Sequence, residues 1–343
     1  MPNDELSKIV QRLLLARHIT IFTHKRPDAD AIGSSLALAR ALRTADLKAA
    51  VVSYDVVPSS LMFLPEVETI ESNGIDHATD LFVALDIGNP TQISPDLYEA
   101  VKSNGAPILV VDHHGNNPKF GEENFIDDER SSTAELIFSL IKELGVTLDS
   151  EIATCLLAGI IFDTRGFSTR DTTRKTLRDT MTLMEAGASL FDVKRAYDGQ
   201  HRAEAYRLWG RALMALEQDR FLAWAVITKD MYAASTTTHE DVTGLAAFLL
   251  TVRGVKTSFV FTEKGNGSVK VSGRAVPNIN LIPLAETFPG GGGHEGAVGF
   301  ELDASISDSV EQVISKFWSL YPEGLSSSRL RLSQLIPESV SKR

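Results

Sequence analysis

The sequence predicts an α/β protein: an N-terminal domain built on a parallel sheet, followed by a smaller α+β domain. Three observations lead there. Short, continuously apolar runs at 19–23, 49–53, 81–85 and 108–111 alternate with stretches of helical spacing, the pattern of a parallel sheet covered on both faces. Three of those runs end at Asp or His residues, which places polar chemistry at strand ends. Beyond residue 200 the pattern changes to strands joined by a tight Asn-Gly turn, followed by a run of four glycines.

Residues 6–15 carry Leu6, Ile9, Val10, Leu13 and Leu14 at helical spacing, a helix to lie on the sheet. The β-branched and aromatic run 19–23 is a buried strand, and Pro27 forbids regular structure through the turn after it. His24, Asp28 and Asp30 therefore fall on a loop at a strand's carboxyl end. A helix over 32–42 and a strand over 49–53 complete a βαβ unit. The strands at 81–85 and 108–111 run into Asp86 and into Asp112-His113-His114. Helices follow over 134–144 and 151–161, the second ending where Asp163 meets the break Thr164-Arg165-Gly166. A further helix spans 173–186, and residues 187–202 read as a connection, with the domain boundary near 195.

The second domain, 196–322, is read as a helix over 203–217, a strand over 221–227, a helix over 242–250, a hairpin of 255–262 with 268–274, and a helix from about 281. Residues 323–343 read as a loosely attached tail.

At 343 residues and 43% hydrophobic the chain can fill two cores. Its net charge of -11 argues against a surface that coats long duplex nucleic acid, because such binding is built on Lys and Arg. A phosphate substrate remains open where cations hold it. The single cysteine, Cys155, sits in an apolar run and reads as a small buried hydrophobe. The opening residues resemble no signal peptide and no segment approaches a membrane span, so a cytoplasmic protein is expected.

Five aspartates (Asp28, Asp30, Asp86, Asp112, Asp163) and three histidines (His24, His113, His114) thus fall at strand or helix ends on one expected rim. So many carboxylates do not stay ionised together without cations, and two metals sharing one carboxylate is the simplest account. Two such metals can clamp the attacking and leaving oxygens of a phosphoryl displacement, so phosphate-ester hydrolysis is the natural reaction. In the second domain Gly290, Gly291, Gly292 and Gly293 lack a Cβ and let backbone N–H groups approach an anion, while Arg274 and His294 add charged donors. That run reads as a nucleotide grip, with a plain flexible turn between a helix and the strand near 299–302 as the alternative.

These motifs resemble the DHH phosphoesterase superfamily. His24-Lys25-Arg26-Pro27-Asp28-Ala29-Asp30, Asp86 after a strand, Asp112-His113-His114 and Gly159-Ile160-Ile161-Phe162-Asp163-Thr164 look like its four motifs. Ser272-Gly273-Arg274 and Gly290-Gly291-Gly292-Gly293-His294 look like its DHHA-type C-terminal domain. The resemblance implies one Mn²⁺ on His24, Asp28 and Asp86 and another on Asp30, Asp86, His113 and Asp163, with Asp86 as the bridge. It further implies Asp112 as the acceptor that orients His113, His114 facing the substrate phosphate or leaving oxygen, and a homodimer. Arg165 stands where many relatives have glycine, either to bind a second phosphate or to pair with a local acid. Ala275 and Val298 replace a serine and an alanine.

The resulting expectation is a Mn²⁺-dependent phosphoesterase that releases mononucleotides from short 5′-phosphorylated oligonucleotides, with 3′-phosphoadenosine 5′-phosphate as a companion substrate by resemblance. A phosphodiesterase for linear or cyclic dinucleotides is the nearest rival. A processive exonuclease is disfavoured by the lack of a basic, aromatic-interleaved region, and a pyrophosphatase would not need the glycine-run domain. A non-catalytic nucleotide-binding regulator is the alternative from another class.

Overall fold

A computed structural model describes residues 3–72, 74–199 and 201–322. The chain divides into two compact units, Met1–Gln200 and His201–Arg343. The 323–343 tail lies outside the described residues.

The first unit runs α1 (Asn3–Leu15), β1 (His18–Thr23), α2 (Ala29–Thr44), β2 (Lys48–Val52), β3 (Leu81–Leu85), α3 (Pro95–Asn104), β4 (Ile108–Asp112), β5 (Glu123–Ile126), α4 (Thr133–Glu143), α5 (Ser150–Asp163), α6 (Arg174–Glu185) and α7 (Leu190–Asp198). Its five strands form one parallel sheet in the order β2-β1-β3-β4-β5. The strand order reverses direction between β1 and β3, and in open parallel sheets ligands bind beyond the carboxyl ends of the strands at such a reversal.

The apolar strands serve two cores by simple alternation. Ile19, Ile21, Val83, Leu85, Leu109 and Val111 pack on one face, while Phe22, Phe82, Ala84 and Val110 pack on the other beside Leu97 and Val101 of α3. Helices α2 and α5 touch so closely that a Cβ on Gly33 would stand 2.3 Å from the Cys155 carbonyl oxygen. Cys155 is itself buried at that contact, and burial raises its thiol pKa. It is a packing residue.

The second unit runs α8 (Ala203–Met214), β6 (Glu217–Asp219), β7 (Leu222–Ile227), α9 (Lys229–Ser235), α10 (Leu245–Leu249), β8 (Thr257–Glu263), β9 (Val269–Ala275), α11 (Ile282–Ala285), β10 (Gly292–His294), β11 (Ala297–Leu302) and α12 (Ile306–Leu320). Its six strands form a mixed sheet in the order β10-β11-β9-β8-β7-β6, in which only β7 and β8 are parallel. One face packs Phe259, Phe261, Val271 and Phe300 against Val313 and Phe317 of α12. On the other face α8 and α10 cover Ala225, Ile227 and Val260. The β8–β9 hairpin turns where Lys264 N donates to Ser268 O and Gly267 adopts a φ of 92°.

The parallel-sheet and α+β expectation holds, with local corrections. The supposed connection at 187–202 contains α7, capped by Ser189 and anchored by the buried Val193; its charged residues mask the 190/193/197 apolar spacing. The helix read over 242–250 is only α10, the one from 281 is the single turn α11, and the one over 203–217 stops at Met214 because Glu217–Asp219 pairs with β7. The chain also forms α3, β5, α9, β10 and α12 where no element was expected. Strand β5 lies at the sheet edge and β10 is built on glycine, so neither shows an apolar run. Among the described residues no helix is long and apolar enough to cross a membrane.

Candidate metal centre

Three neighbouring parallel strands deliver the ligand-type side chains. His24 follows β1, Asp86 follows β3, and Asp112 ends β4 with His113 and His114 after it. Two helices complete the set: Asp28 is the N-cap of α2 with Asp30 in its first turn, and Asp163 is the last residue of α5.

The side chains converge on Asp86, which is 4% exposed. His24 Nε2 lies 3.7 Å from Asp86 Oδ2 and 4.0 Å from Asp28 Oδ1. His113 Nε2 lies 3.7 Å from Asp86 Oδ1 and 3.2 Å from Asp163 Oδ2. Ligand atoms of His24, Asp28 and Asp86 all lie within 4.8 Å of one another, as do those of Asp30, His113 and Asp163, and those of Asp86, His113 and His114. Asp86 is held at a left-handed φ of 58°, a conformation Asp tolerates better than most residues.

The backbone fixes which imidazole nitrogen faces the cluster. His24 Nδ1 donates to the Lys25 carbonyl at 2.9 Å and His113 Nδ1 to the Arg130 carbonyl at 3.3 Å, so each presents Nε2. His114 is tied differently: its Nδ1 meets Asp112 Oδ1 at 2.7 Å. Asp112 is fully buried, and its other oxygen accepts from Asn117 Nδ2 at 2.7 Å. This corrects one expectation: Asp112 orients His114, not His113. Residues two apart on extended chain share a side, whereas His113 projects to the other.

Asp30 is fully buried and accepts from Thr133 N at 2.6 Å and Ala134 N at 2.9 Å, the opening amides of α4. Thr133 Oγ1 donates to Asp86 Oδ1 at 3.0 Å. A Cβ on Gly159 would fall 2.4 Å from Asp30 Oδ1, so α5 can pass the carboxylate only with glycine there. Thr133, Asn117 and the Arg130 carbonyl escaped the sequence reading; the Ser131-Ser132-Thr133 opening of an apolar helix is the one signal that pointed to the first.

Electrostatics fit a cation. Burial works against charge on His24, yet the hydrogen bond and charge of Asp86, the Lys25 carbonyl and Asp28 outweigh it and push its pKa up to about 9. His113 is raised likewise: Asp163, Asp86 and Asp30 overcome its burial. His114 is raised chiefly by its hydrogen bond to Asp112. Burial raises Asp28, Asp30 and Asp163, reinforced in each by neighbouring carboxylates. Asp86 moves the other way, its burial overcome by the three imidazoles, to about 2. Among the described residues no Lys or Arg pairs with these aspartates, so the imidazolium protons stand where a divalent cation would bring charge. Imidazole and carboxylate donors are the set that first-row divalent metals take.

The remaining site residues lie elsewhere. Arg165 is exposed in a turn after α5, where Arg165, Gly166 and Phe167 have successive φ of 50°, 67° and 69°. Arg274 stands on β9 and lines a cleft in the second unit. The glycine run is partly a strand: Gly292–His294 pairs with β11. Gly290 has a φ of 66°, and a Cβ on Gly291 or Gly293 would strike the Ala285 or Ala297 carbonyl at 2.0 or 2.2 Å, so these two serve the unit's own packing. Gly292 alone of these faces open space at an unstrained φ. The His294 side chain lies outside the described residues.

A parallel sheet whose carboxyl edge gathers His and Asp around one carboxylate, joined to a mixed-sheet domain, defines a two-unit class with a metal-type centre. The DHH family N-terminal domain matches residues 18–160 and the DHHA1 domain residues 225–321. The chain belongs to the DHH family. It is 34% identical to the bifunctional oligoribonuclease and PAP phosphatase NrnA of Thermus thermophilus, over 86% of this chain and 88% of that protein. It is 28% identical to the cyclic-di-AMP phosphodiesterase PdeA of Listeria monocytogenes, over 90% of this chain but 49% of that protein. Among solved structures, an exopolyphosphatase-related protein from Bacteroides fragilis superposes with a TM-score of 0.84 at 25% identity, over 93% of this chain and 98% of that one.

Proposed function

We propose that the chain is a phosphoesterase dependent on two divalent cations, Mn²⁺ by preference, releasing mononucleotides from short 5′-phosphorylated oligonucleotides and hydrolysing 3′-phosphoadenosine 5′-phosphate. The observation that carries it is Asp86, standing between the His24/Asp28 group and the His113 group at the reversal point of the sheet. The 34% identity to an oligoribonuclease and PAP phosphatase supports the substrate class.

His24, Asp28 and Asp86 would hold one cation and Asp30, Asp86, His113 and Asp163 the other. When bound, such a pair acidifies a water and draws charge from the phosphoryl oxygens. Asp30 is held in register by the α4 amides and Asp86 by Thr133 Oγ1, so neither has to reorganise as the substrate binds. His114 acts as the acid: Asp112 keeps a proton on Nδ1 and favours the imidazolium, leaving the Nε2 proton for the departing oxygen. Arg165 has no ion-pair partner among the described residues, which favours contact with a second substrate phosphate over pairing with a local acid. In the second unit Arg274 grips the nucleotide from β9, with the glycine-run strand as a bare neighbour two strands away.

The test is Mn²⁺-dependent release from a matched panel: 3′-phosphoadenosine 5′-phosphate, a 5′-phosphorylated dinucleotide, a five-nucleotide RNA, cyclic di-AMP and pyrophosphate. Turnover of the first three, lost in Asp86→Ala, is expected. Preferential cleavage of cyclic di-AMP would replace this reading with the one that the likeness to PdeA suggests. Nucleotide binding without turnover under any divalent metal would leave a regulator.

A further inference from the structure

Among the described residues of the second unit, helices cover one face of its sheet only in part. Helix α10 sits over β8 there, where Ser258 Oγ donates to the Ala246 carbonyl at 2.6 Å. In antiparallel strands directly paired residues share a face, so the register extends this face across β9, β11 and β10 in three rows. Lys270 pairs with Glu301; Ser272 pairs with Gly299, which pairs with Gly292; Arg274 pairs with Ala297. The middle row carries no side chain beyond the Ser272 hydroxyl. A Cβ on Gly292 would meet nothing within 4 Å, and one on Gly299 only the Val271 carbonyl at 3.8 Å. Along the α10 side of this floor runs a cleft of about 210 Å³, lined among others by Gly244, Thr262, Lys270, Ser272 and Arg274.

Two cations thus line one cleft, four residues apart on a strand, beside the row of glycines on β11 and β10. At about 3.4 Å per residue their backbones are ~14 Å apart on the same face of the sheet. Lys270 adds a through-space attraction to its cross-strand neighbour Glu301 but makes no hydrogen bond or ion pair with it. Glu301 Oε2 already accepts from Lys264 Nζ at 2.7 Å and Oε1 from Ser268 Oγ. No hydrogen bond or ion pair to another described residue holds the Lys270 ammonium.

We infer that Lys270 is a length-specificity residue: it contacts a phosphate of a second nucleotide when Arg274 holds the first, so the cleft prefers a strand of two or more nucleotides to a mononucleotide. This rests on the phosphoesterase reading for its kinetic consequence, but the binding consequence stands apart from it. A nucleotide with a single phosphate supplies a partner for only one cation, whereas a short strand supplies partners for both.

The experiment compares the full chain with Lys270→Ala and Lys270→Arg, using a five-nucleotide 5′-phosphorylated RNA and adenosine 5′-phosphate. Binding is followed in chelator by fluorescence anisotropy across salt concentrations, and KM for the RNA is measured with Mn²⁺. Loss of one charged contact predicts a roughly tenfold fall in the preference for the five-nucleotide strand in Lys270→Ala. Its log–log salt slope falls by about 0.7, and Lys270→Arg restores both. Equal losses for the two ligands, or an unchanged salt slope, would overturn the inference even if the wild type hydrolyses the RNA. A changed slope with no hydrolysis would uphold it and sink the phosphoesterase reading instead.

Discussion

The carboxylate of Asp30 caps a helix to which it does not belong: its Oδ2 accepts the Thr133 amide at 2.6 Å from the start of α4, 103 residues further along the chain. The positive end of α4 therefore helps to hold a buried negative group in place. Thr133 also reaches Asp86 through its hydroxyl, so one residue braces a carboxylate in each of two ligand groups.

Replacing Thr133 with Val keeps the amide but removes the hydroxyl. Divalent-metal affinity is expected to fall about tenfold, the usual cost of losing a partner that orients a ligand. Calorimetric titration of the metal-free protein checks it, and an unchanged affinity would show that Asp86 needs no such brace.

Metal binding should release protons. At pH 7.5 the metal-free His24, with its pKa pushed up to about 9, is protonated, and a cation takes only the neutral ring. Affinity therefore rises with pH between 6.5 and 9, by about tenfold per unit for each proton displaced. The same shift makes the metal-free fold most favoured below the ordinary imidazole pKa of 6.5, with that contribution lost as pH rises through 9. Titrations in buffers of different ionisation enthalpy count the protons, and thermal unfolding at pH 6.5 and 9 follows the stability.

Gly159→Ala places a methyl 2.4 Å from Asp30 Oδ1 and 2.8 Å from the Ala134 Cβ. Overpacking of this kind costs about 1–3 kcal/mol. Because Asp30 must move, metal affinity is expected to fall together with stability. Urea unfolding and a metal titration on the same variant test the two effects.

Arg165→Gly relieves a left-handed φ of 50°. The gain in stability is about 1 kcal/mol, read as a higher Tm. If Arg165 meets a second substrate phosphate, KM rises in the same variant while metal affinity holds. A stabilised variant with unchanged KM would assign the arginine to no ligand.

Much of the centre was legible because strands announce their own ends. The apolar runs stop at His24, Asp86 and Asp112, and a parallel sheet brings such ends to one edge. What stayed hidden was of another kind. That Asp112 serves His114 depends on which side of an extended chain each residue takes, and the Arg130 carbonyl and the α4 amides act through backbone atoms that every residue carries. Helix α7 was masked because its buried Val193 sits among Asp192, Lys194 and Arg195. The strand character of Gly292–His294 comes from its pairing with β11, which no local propensity reports.

The central claim is that the carboxyl edge of the first sheet is a two-metal centre organised by Asp86. Equilibrium dialysis of the metal-free protein against Mn²⁺ at pH 7.5 tests it most directly. Two equivalents bound by the wild type, with both sites weakened in Asp86→Ala because both share that carboxylate, is the predicted result. A wild type that binds no Mn²⁺, or an Asp86→Ala variant that binds two equivalents as tightly as the wild type, would contradict it.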